Sequence, residues 1–213
     1  MSMHHEWLSL IEISGPFLAV PVLKETFPQG LEELDSAKRK RLRQAYNEWR
    51  EALETDDPRF ADLHAAWMDE VLSRGLELDE DSRGDVLRRK DWCAAHLTVA
   101  LPEHGVSLSP DFSVVGNGDA PLMLIHTYGP DVDLDATQKL DGWASTAAER
   151  MVRLCRATGC RLGLVTNGER WMLVDAPVGG SHHIRQLVCA HLGAGTPHPP
   201  SLCSPVGRPA LLR

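Results

Sequence analysis

The sequence predicts an α+β fold, in which a helical N-terminal segment is followed by a β-β-α-β-β core and a disordered C-terminal tail. Apolar residues recur at helical spacing in residues 1–90, whereas short apolar runs separated by glycine-containing turns fill residues 91–180. Residues 181–213 contain no acidic residue and five of the 14 prolines, a composition that favours disorder. We therefore divide the chain at these boundaries into a helical region, an α/β domain and a tail.

Two apolar stripes with polar residues between them predict the helices of the first region. The first stripe comprises Leu34, Leu42, Ala45, Tyr46, Trp49 and Leu53, and the second comprises Phe60, Leu63, Trp67, Val71 and Leu72. Spacings of three and four residues place each set on one face of a helix. We expect the tryptophans of both stripes to pack in the core.

The α/β domain is predicted from five apolar runs that are too short for helices. The candidate strands are Leu97–Leu101, Asp111–Val115, Leu122–Tyr128, Leu162–Val165 and Trp171–Val174. A helix between the third and fourth runs is predicted from an apolar stripe, and Gly159 is expected to end it. That stripe comprises Trp143, Ala147, Met151, Leu154 and Cys155.

Glycine-containing turns indicate how these strands are joined. Asn117-Gly118 and Asn167-Gly168 each lie between two apolar runs, and Asn-Gly pairs favour tight hairpin turns that need positive φ. We therefore expect two hairpins, one on each side of the predicted helix. In the tail, a short helix is expected near Ile184–Leu192.

Composition excludes several classes of protein. The net charge of −8 argues against a protein that coats nucleic acid by bulk charge, because neutralising phosphates requires Lys and Arg. The five cysteines are odd in number, which predicts reduced thiols. No apolar run reaches the roughly 18 residues of a membrane span, and no basic segment precedes an apolar one at the start of the chain. We expect a cytoplasmic protein that does not enter a membrane.

A hairpin followed by a helix and a further strand pair is typical of a restriction-nuclease core. Such a core needs carboxylates on the hairpin to hold Mg²⁺ and a lysine beside them. Asp111 begins the first hairpin strand, but His126 stands where the second carboxylate is needed and Tyr128 where the lysine is needed. One carboxylate with a histidine suits a hard cation poorly. Asp111 can alternatively be a residue that only starts a strand or turn.

A family resemblance rests on three elements of the α/β domain. They are Pro110-Asp111-Phe112, the apolar strand through Ile125, and the run from Arg161 to Trp171 with its Thr-Asn-Gly-x-x-Trp hairpin. Together they resemble the N-terminal region of Eco57I-type restriction-modification DNA methyltransferases, including the DISARM-type methylases of phage defence. The resemblance covers about residues 97–176.

The resemblance implies a degenerate nuclease-like domain of the PD-(D/E)XK type, in a DNA adenine methyltransferase that acts in phage defence. Because only Asp111 matches the acidic pattern, catalytic roles do not carry over to His126 or Tyr128. Mg²⁺ and S-adenosylmethionine are implied for the parent family, but no metal and no cofactor is expected in this chain. The Asn-Pro-Pro-aromatic motif of adenine methylation is missing, because the related run reads His198-Pro199-Pro200-Ser201. The partners implied are DNA and the other subunits of a defence complex.

Two basic clusters are the candidate DNA contacts. The first comprises Lys38, Arg39, Lys40 and Arg43, and the second comprises Arg88, Arg89 and Lys90. Such runs can contact phosphates, or they can be solvated helix faces balanced by nearby acids.

Three hypotheses of function follow from these observations. The first is a non-catalytic nuclease-like module. The second is an active nuclease that combines Asp111 with one of three aspartates of the next loop, Asp131, Asp133 or Asp135. The third is a protein-interaction scaffold without a role on DNA, which the negative charge favours.

Overall fold

The computed structural model describes residues 11–14, 18–30, 34–81, 83, 86–177 and 185–189. The helices are α1 (Val20–Thr26), α2 (Ser36–Glu54), α3 (Phe60–Asp69), α4 (Lys90–His96) and α5 (Ala147–Thr158). The strands are β1 (Ile11–Ser14), β2 (Leu87–Arg88), β3 (Val99–Leu101), β4 (Val106–Leu108), β5 (Phe112–Val115), β6 (Pro121–Thr127), β7 (Gln138–Leu140), β8 (Trp143–Ser145), β9 (Leu162–Thr166), β10 (Trp171–Asp175) and β11 (Arg185–Cys189). Helices and strands thus occur together, as the predicted α+β class requires. No helix within these ranges is both long enough and apolar enough to cross a lipid bilayer.

A seven-stranded mixed sheet in the order β1-β11-β10-β9-β6-β5-β2 forms the centre of the structure. β6 and β9 pair in parallel, whereas their other neighbours in the sheet pair antiparallel. Parallel neighbours need a crossover connection, and α5 supplies it between β6 and β9. The hairpins β3–β4 and β7–β8 form two small separate sheets.

Helices cover both faces of the large sheet. Along β6, Leu124 joins the core beneath α4 and α5, and its neighbour Ile125 joins the core beneath α2 and α3. This alternation follows from the two-residue period of a strand. Trp49 and Trp67 are buried in the second core, as their helical stripes predict.

The predicted turns and helix ends are confirmed where they depend on local chemistry. Gly118 and Gly168 have φ of 67° and 95°, in the turns that join β5 to β6 and β9 to β10. α5 begins with a capping box between Thr146 and Glu149, and it ends at Gly159 with φ of 74°. A capping box satisfies two backbone N–H groups that a helix start leaves without partners.

Three predictions of secondary structure are wrong. Trp143 lies in β8 instead of α5, where its ring stacks on His104 with centroids 4.1 Å apart. Leu97 follows α4, so the strand predicted from Leu97 begins only at Val99. The short helix expected in the tail is instead the strand β11, which gains backbone partners in β1 and β10. The rest of the predicted disordered tail lies outside the described residues.

The first region also contributes strands that its helical pattern did not indicate. β2 pairs with β5 at one edge of the large sheet, and β1 pairs with β11 at the other. The core beneath α2 and α3 joins residues of that region to Val114, Ile125 and Leu164 of the sheet. The described residues of 1–90 and of 91–180 therefore share the large sheet and the core beneath α2 and α3.

A close approach between α5 and β9 depends on Gly163. A Cβ at this position would overlap Met151 Cγ and would lie 2.6 Å from Met151 Sδ and 3.1 Å from Cys155 Sγ. We expect Gly163→Ala to lower the free energy of unfolding by about 1–3 kcal/mol, because overpacking forces α5 away from the sheet. Urea unfolding measures this loss.

The matched control for this substitution is Gly116→Ala. The three atoms nearest to a Cβ there all belong to the side chain of Leu122, with Cδ1 at 3.1 Å, and this side-chain end can move. We expect a loss below about 1 kcal/mol. Equal losses in the two variants would contradict the close packing of α5 on β9.

Candidate functional site

The candidate site lies where β5 begins and β6 ends, on the sheet face that carries α4 and α5. Phe112 pairs with Ile125, and the Asp111 N–H donates to the Ile125 carbonyl over 2.9 Å. His126 Nδ1 consequently lies 3.1 Å from Asp111 Oδ2. The sequence prediction that Asp111 and the apolar strand of β6 are neighbours is confirmed.

The Asp111 carboxylate is engaged in holding the end of β6. Its Oδ2 accepts hydrogen bonds from the Thr127 backbone N–H at 2.8 Å and from the Thr127 hydroxyl at 3.1 Å. The same oxygen faces His126. These contacts are those of a residue that fixes two strand ends, which is the structural alternative considered for Asp111 from the sequence.

His126 is a neutral imidazole at pH 7. Burial lowers its pKa below the ordinary value of 6.5, the charge of Asp111 opposes this, and Arg150 and Lys90 lower it further. Its Nδ1 is buried, and although Asp111 Oδ2 is close, the two atoms lack the alignment of a hydrogen bond. His126 therefore does not supply the negative charge of the carboxylate whose position it takes.

Tyr128 packs edge-on against His126, with ring centroids 4.9 Å apart. Burial raises its pKa to about 12, so the phenol keeps its proton at neutral pH. Tyr128 can donate a hydrogen bond, but it does not bring the positive charge of a lysine.

A small pocket of about 20 Å³ opens beside these two residues. It is lined by Leu108, Ser109, His126, Tyr128, Arg150, Met151 and Leu154. Arg150 is only 7% exposed. It donates to the Leu140 carbonyl at 3.2 Å and to Asp141 Oδ2 at 2.8 Å, and its guanidinium lies 5.0 Å from the centre of the Trp143 ring.

Arg150 is the residue of this pocket that the sequence patterns did not single out. It lies three residues after Ala147 and four before Leu154, on the apolar stripe of α5. An arginine on an apolar stripe is rarely buried unless it has partners, and this was the signal that could have identified it.

The donors present do not fit Mg²⁺. No group of three or more His, Cys, Asp or Glu side chains in the described part of the chain is arranged to hold a metal ion. Asp133 and Asp135, suggested as extra ligands, lie 3.8 Å and 2.7 Å from Arg170 Nη1 on the β9–β10 turn. Mg²⁺ prefers several oxygen ligands, whereas Asp111 has an imidazole and an arginine-lined pocket beside it.

Cys93 of α4 is not a nucleophile of this site. Burial, helped by the charge of Asp111, raises the pKa of Cys93 to about 11, and the thiolate is the reactive form. Cys93, Cys155 and Cys160 are buried free thiols, which confirms the prediction of reduced cysteines for these three.

The backbone of Tyr128 is fixed from the opposite face of the sheet. The Trp49 indole N–H donates to His64 Nδ1 at 3.0 Å, and His64 Nε2 donates to the Tyr128 carbonyl at 3.0 Å. His64 must therefore be neutral, with its proton on Nε2. Next to it, the Trp67 indole N–H donates to the Gly168 carbonyl at 2.9 Å.

Several members of the predicted basic clusters are neutralised by acidic neighbours. Lys38 lies 2.7 Å from Glu77 and 2.8 Å from Glu80. Arg88 lies 2.6 Å from Asp119, and Arg89 lies 2.9 Å from both Asp69 and Asp79. Lys40, Arg43 and Lys90 are exposed, and Arg39 is partly buried. Among these cluster members, Lys90 has a charge that lowers the pKa of His126.

No protein-family model, curated protein or solved structure matches this chain. What the site can do therefore follows from its own groups. These are a carboxylate engaged by Thr127, a neutral His126, a protonated Tyr128 and the nearby cations Arg150 and Lys90.

Proposed function

We propose that the chain is a nuclease-like module that has lost metal-dependent cutting and serves within a DNA adenine methyltransferase or restriction-modification protein of phage defence. The order of elements supports the nuclease-like part of this proposal. The hairpin β5–β6, the helix α5 and the strand pair β9–β10 come in this order along the chain, with the separate hairpin β7–β8 between β6 and α5, and the strands β5, β6, β9 and β10 lie in one sheet. This is the order of elements that is typical of a restriction-nuclease core.

The chemistry beside Asp111 carries the conclusion that the module does not cut. A magnesium-dependent nuclease needs a second carboxylate to hold the ion and a lysine near the attacking water. His126 and Tyr128 take these positions, and both are neutral at pH 7. The nearby charges of Arg150 and Lys90 are positive, which disfavours a divalent cation and favours an anion such as a phosphate.

The role that remains on DNA is contact with the backbone. Lys40, Arg43 and Lys90 are exposed members of the candidate clusters. Contacts from Lys and Arg to phosphates position a protein on DNA without reading its sequence. The module would then help a larger enzyme to hold its substrate, while base recognition and methyl transfer lie elsewhere.

A cleavage assay paired with a binding assay tests this proposal. We expect no cutting of duplex DNA with Mg²⁺ or Mn²⁺, for the wild type and for Asp111→Asn alike. We also expect DNA binding at low salt that weakens steeply as salt rises. Metal-dependent cutting that Asp111→Asn abolishes would support the active-nuclease hypothesis instead.

A protein-interaction scaffold is the second candidate, and the ion pairs of the basic clusters favour it. Lys38, Arg88 and Arg89 already have acidic partners, and the chain carries a net charge of −8. Both features reduce the attraction to phosphates. An absence of DNA binding even at low salt would favour the scaffold over the DNA-contacting module.

A further inference from the structure

We propose that the pocket between β4, β6 and α5 binds a phosphate-type oxyanion, with one anionic oxygen entering beside His126, Tyr128 and Arg150. The pocket is formed by Leu108 and Ser109 at the end of β4, by His126 and Tyr128 at the end of β6, and by the face of α5 that carries Arg150. Polar groups thus face it from three parts of the chain.

The charge around the pocket favours an anion. Arg150 is a buried permanent cation, and its charge acts on both His126 and Tyr128. Its partner Asp141 has a side chain that is 70% exposed, so water screens the countercharge. Lys90 adds a second positive charge, which also lowers the pKa of His126. Asp111 opposes these cations, but its Oδ2 already accepts two hydrogen bonds from Thr127.

The pocket also has hydrogen-bond donors for an incoming oxygen. A guanidinium has more N–H groups than the two that Arg150 gives to Leu140 and Asp141. The phenol of Tyr128 keeps its proton and is a donor. His126 Nδ1 is buried and lacks a well-aligned hydrogen bond, although Asp111 Oδ2 lies 3.1 Å from it and the backbone of Ser109 also interacts with the ring. An incoming oxygen would share the imidazole with these two neighbours.

The size of the pocket limits what can enter. Its volume of about 20 Å³ exceeds the roughly 10–15 Å³ that one water molecule needs. One oxygen of a phosphate therefore fits, whereas a nucleobase does not. The ligand class is an oxyanion whose remaining atoms stay outside, which describes both inorganic phosphate and a phosphodiester of a nucleic-acid backbone.

The binding of inorganic phosphate stands independently, whereas assigning the site to a DNA phosphate rests on the proposed function. Titration of the ¹⁵N-labelled chain with inorganic phosphate, at an ionic strength held constant with chloride, tests the first part. We expect saturable shifts of the His126 and Tyr128 amides. Tyr128→Phe, which leaves the contacts of Arg150 in place, should weaken binding by about tenfold, whereas Lys90→Gln, which removes an exposed charge outside the pocket lining, should weaken it by about threefold.

Lys24→Gln is the matched control, since Lys24 is an exposed lysine of α1 that belongs neither to the pocket lining nor to the candidate DNA-contacting clusters. It should leave phosphate binding unchanged. Shifts that do not saturate, or that both Tyr128→Phe and Lys90→Gln leave unaltered, would overturn the site.

Competition with DNA separates this inference from the proposed function. Displacement of phosphate from the pocket by a short duplex supports a backbone phosphate as the ligand. Phosphate binding without any DNA binding supports the pocket and overturns the DNA role. DNA binding without phosphate binding at these residues overturns the pocket and leaves the DNA role in place.

Discussion

Gly168→Ala is expected to lower the free energy of unfolding by about 3 kcal/mol or more. Gly168 has φ of 95°, where an L side chain is strained. An added Cβ would lie 2.9 Å from Met68 Cε and 3.0 Å from Trp49 Cζ2. Strain and overpacking therefore add at the turn that Trp67 holds through the Gly168 carbonyl.

Gly118→Ala separates the two contributions. Gly118 also has positive φ, at 67°, but a Cβ added there would meet no heavy atom within 4 Å apart from its own chain neighbours. The free energy of unfolding of this variant should fall only by the cost of backbone strain, about 1–2 kcal/mol. Urea unfolding of both variants gives the comparison. If Gly168→Ala lowers the free energy of unfolding no more than Gly118→Ala does, the side chains of α2 and α3 do not pack tightly against the β9–β10 turn.

Local chemistry made much of the central fold predictable. Asn117-Gly118 and Asn167-Gly168 mark the two hairpins, because glycine readily adopts the positive φ found at Gly118 and Gly168. The stripe of α5 and its end at Gly159 were likewise predictable from spacing. The neighbouring positions of Asp111 and β6 follow from the first hairpin alone.

The parts that depend on distant partners were not predictable. β1 and β11 pair across almost the whole length of the chain, and neither run alternates strongly enough to indicate a strand. Trp143 fits a helical stripe by spacing, but its stacking with His104 and Arg150 holds it in β8. In the site, Asp111, His126 and Tyr128 came from one expected motif. Arg150 comes from α5, and only the packing of α5 on the sheet brings it there.

His64→Leu is the second substitution for which a large loss is expected. It removes the acceptor of the Trp49 indole N–H and the donor to the Tyr128 carbonyl. Trp49 is 1% exposed, so water cannot replace the lost hydrogen-bond partner of its N–H. Leaving both groups without partners should cost about 2–4 kcal/mol. His64→Gln, whose amide can still donate toward Tyr128, should lose about half as much.

The pH dependence of stability distinguishes this hydrogen-bond chain from simple packing. Burial lowers the pKa of His64 below its ordinary value of 6.5, although the bond to Tyr128 opposes the shift. The unfolded chain therefore binds more protons in the window between the folded-state pKa and 6.5. Stability from His64 is complete above that window and is lost as the pH falls through it, because a protonated imidazole cannot accept from Trp49.

Burial shifts the pKa of His126 in the same direction, so the pH dependence of wild-type stability contains contributions from both histidines. The difference in unfolding free energy between the wild type and His64→Leu reports His64 alone, because His126 is present in both proteins. Urea unfolding from pH 7.5 down to pH 5 should show this difference shrinking as His64 takes up its proton. A constant difference over that range would mean that His64 stabilises the end of β6 by packing. It would also mean that the hydrogen bond from Trp49 to His64 Nδ1 does not contribute to stability.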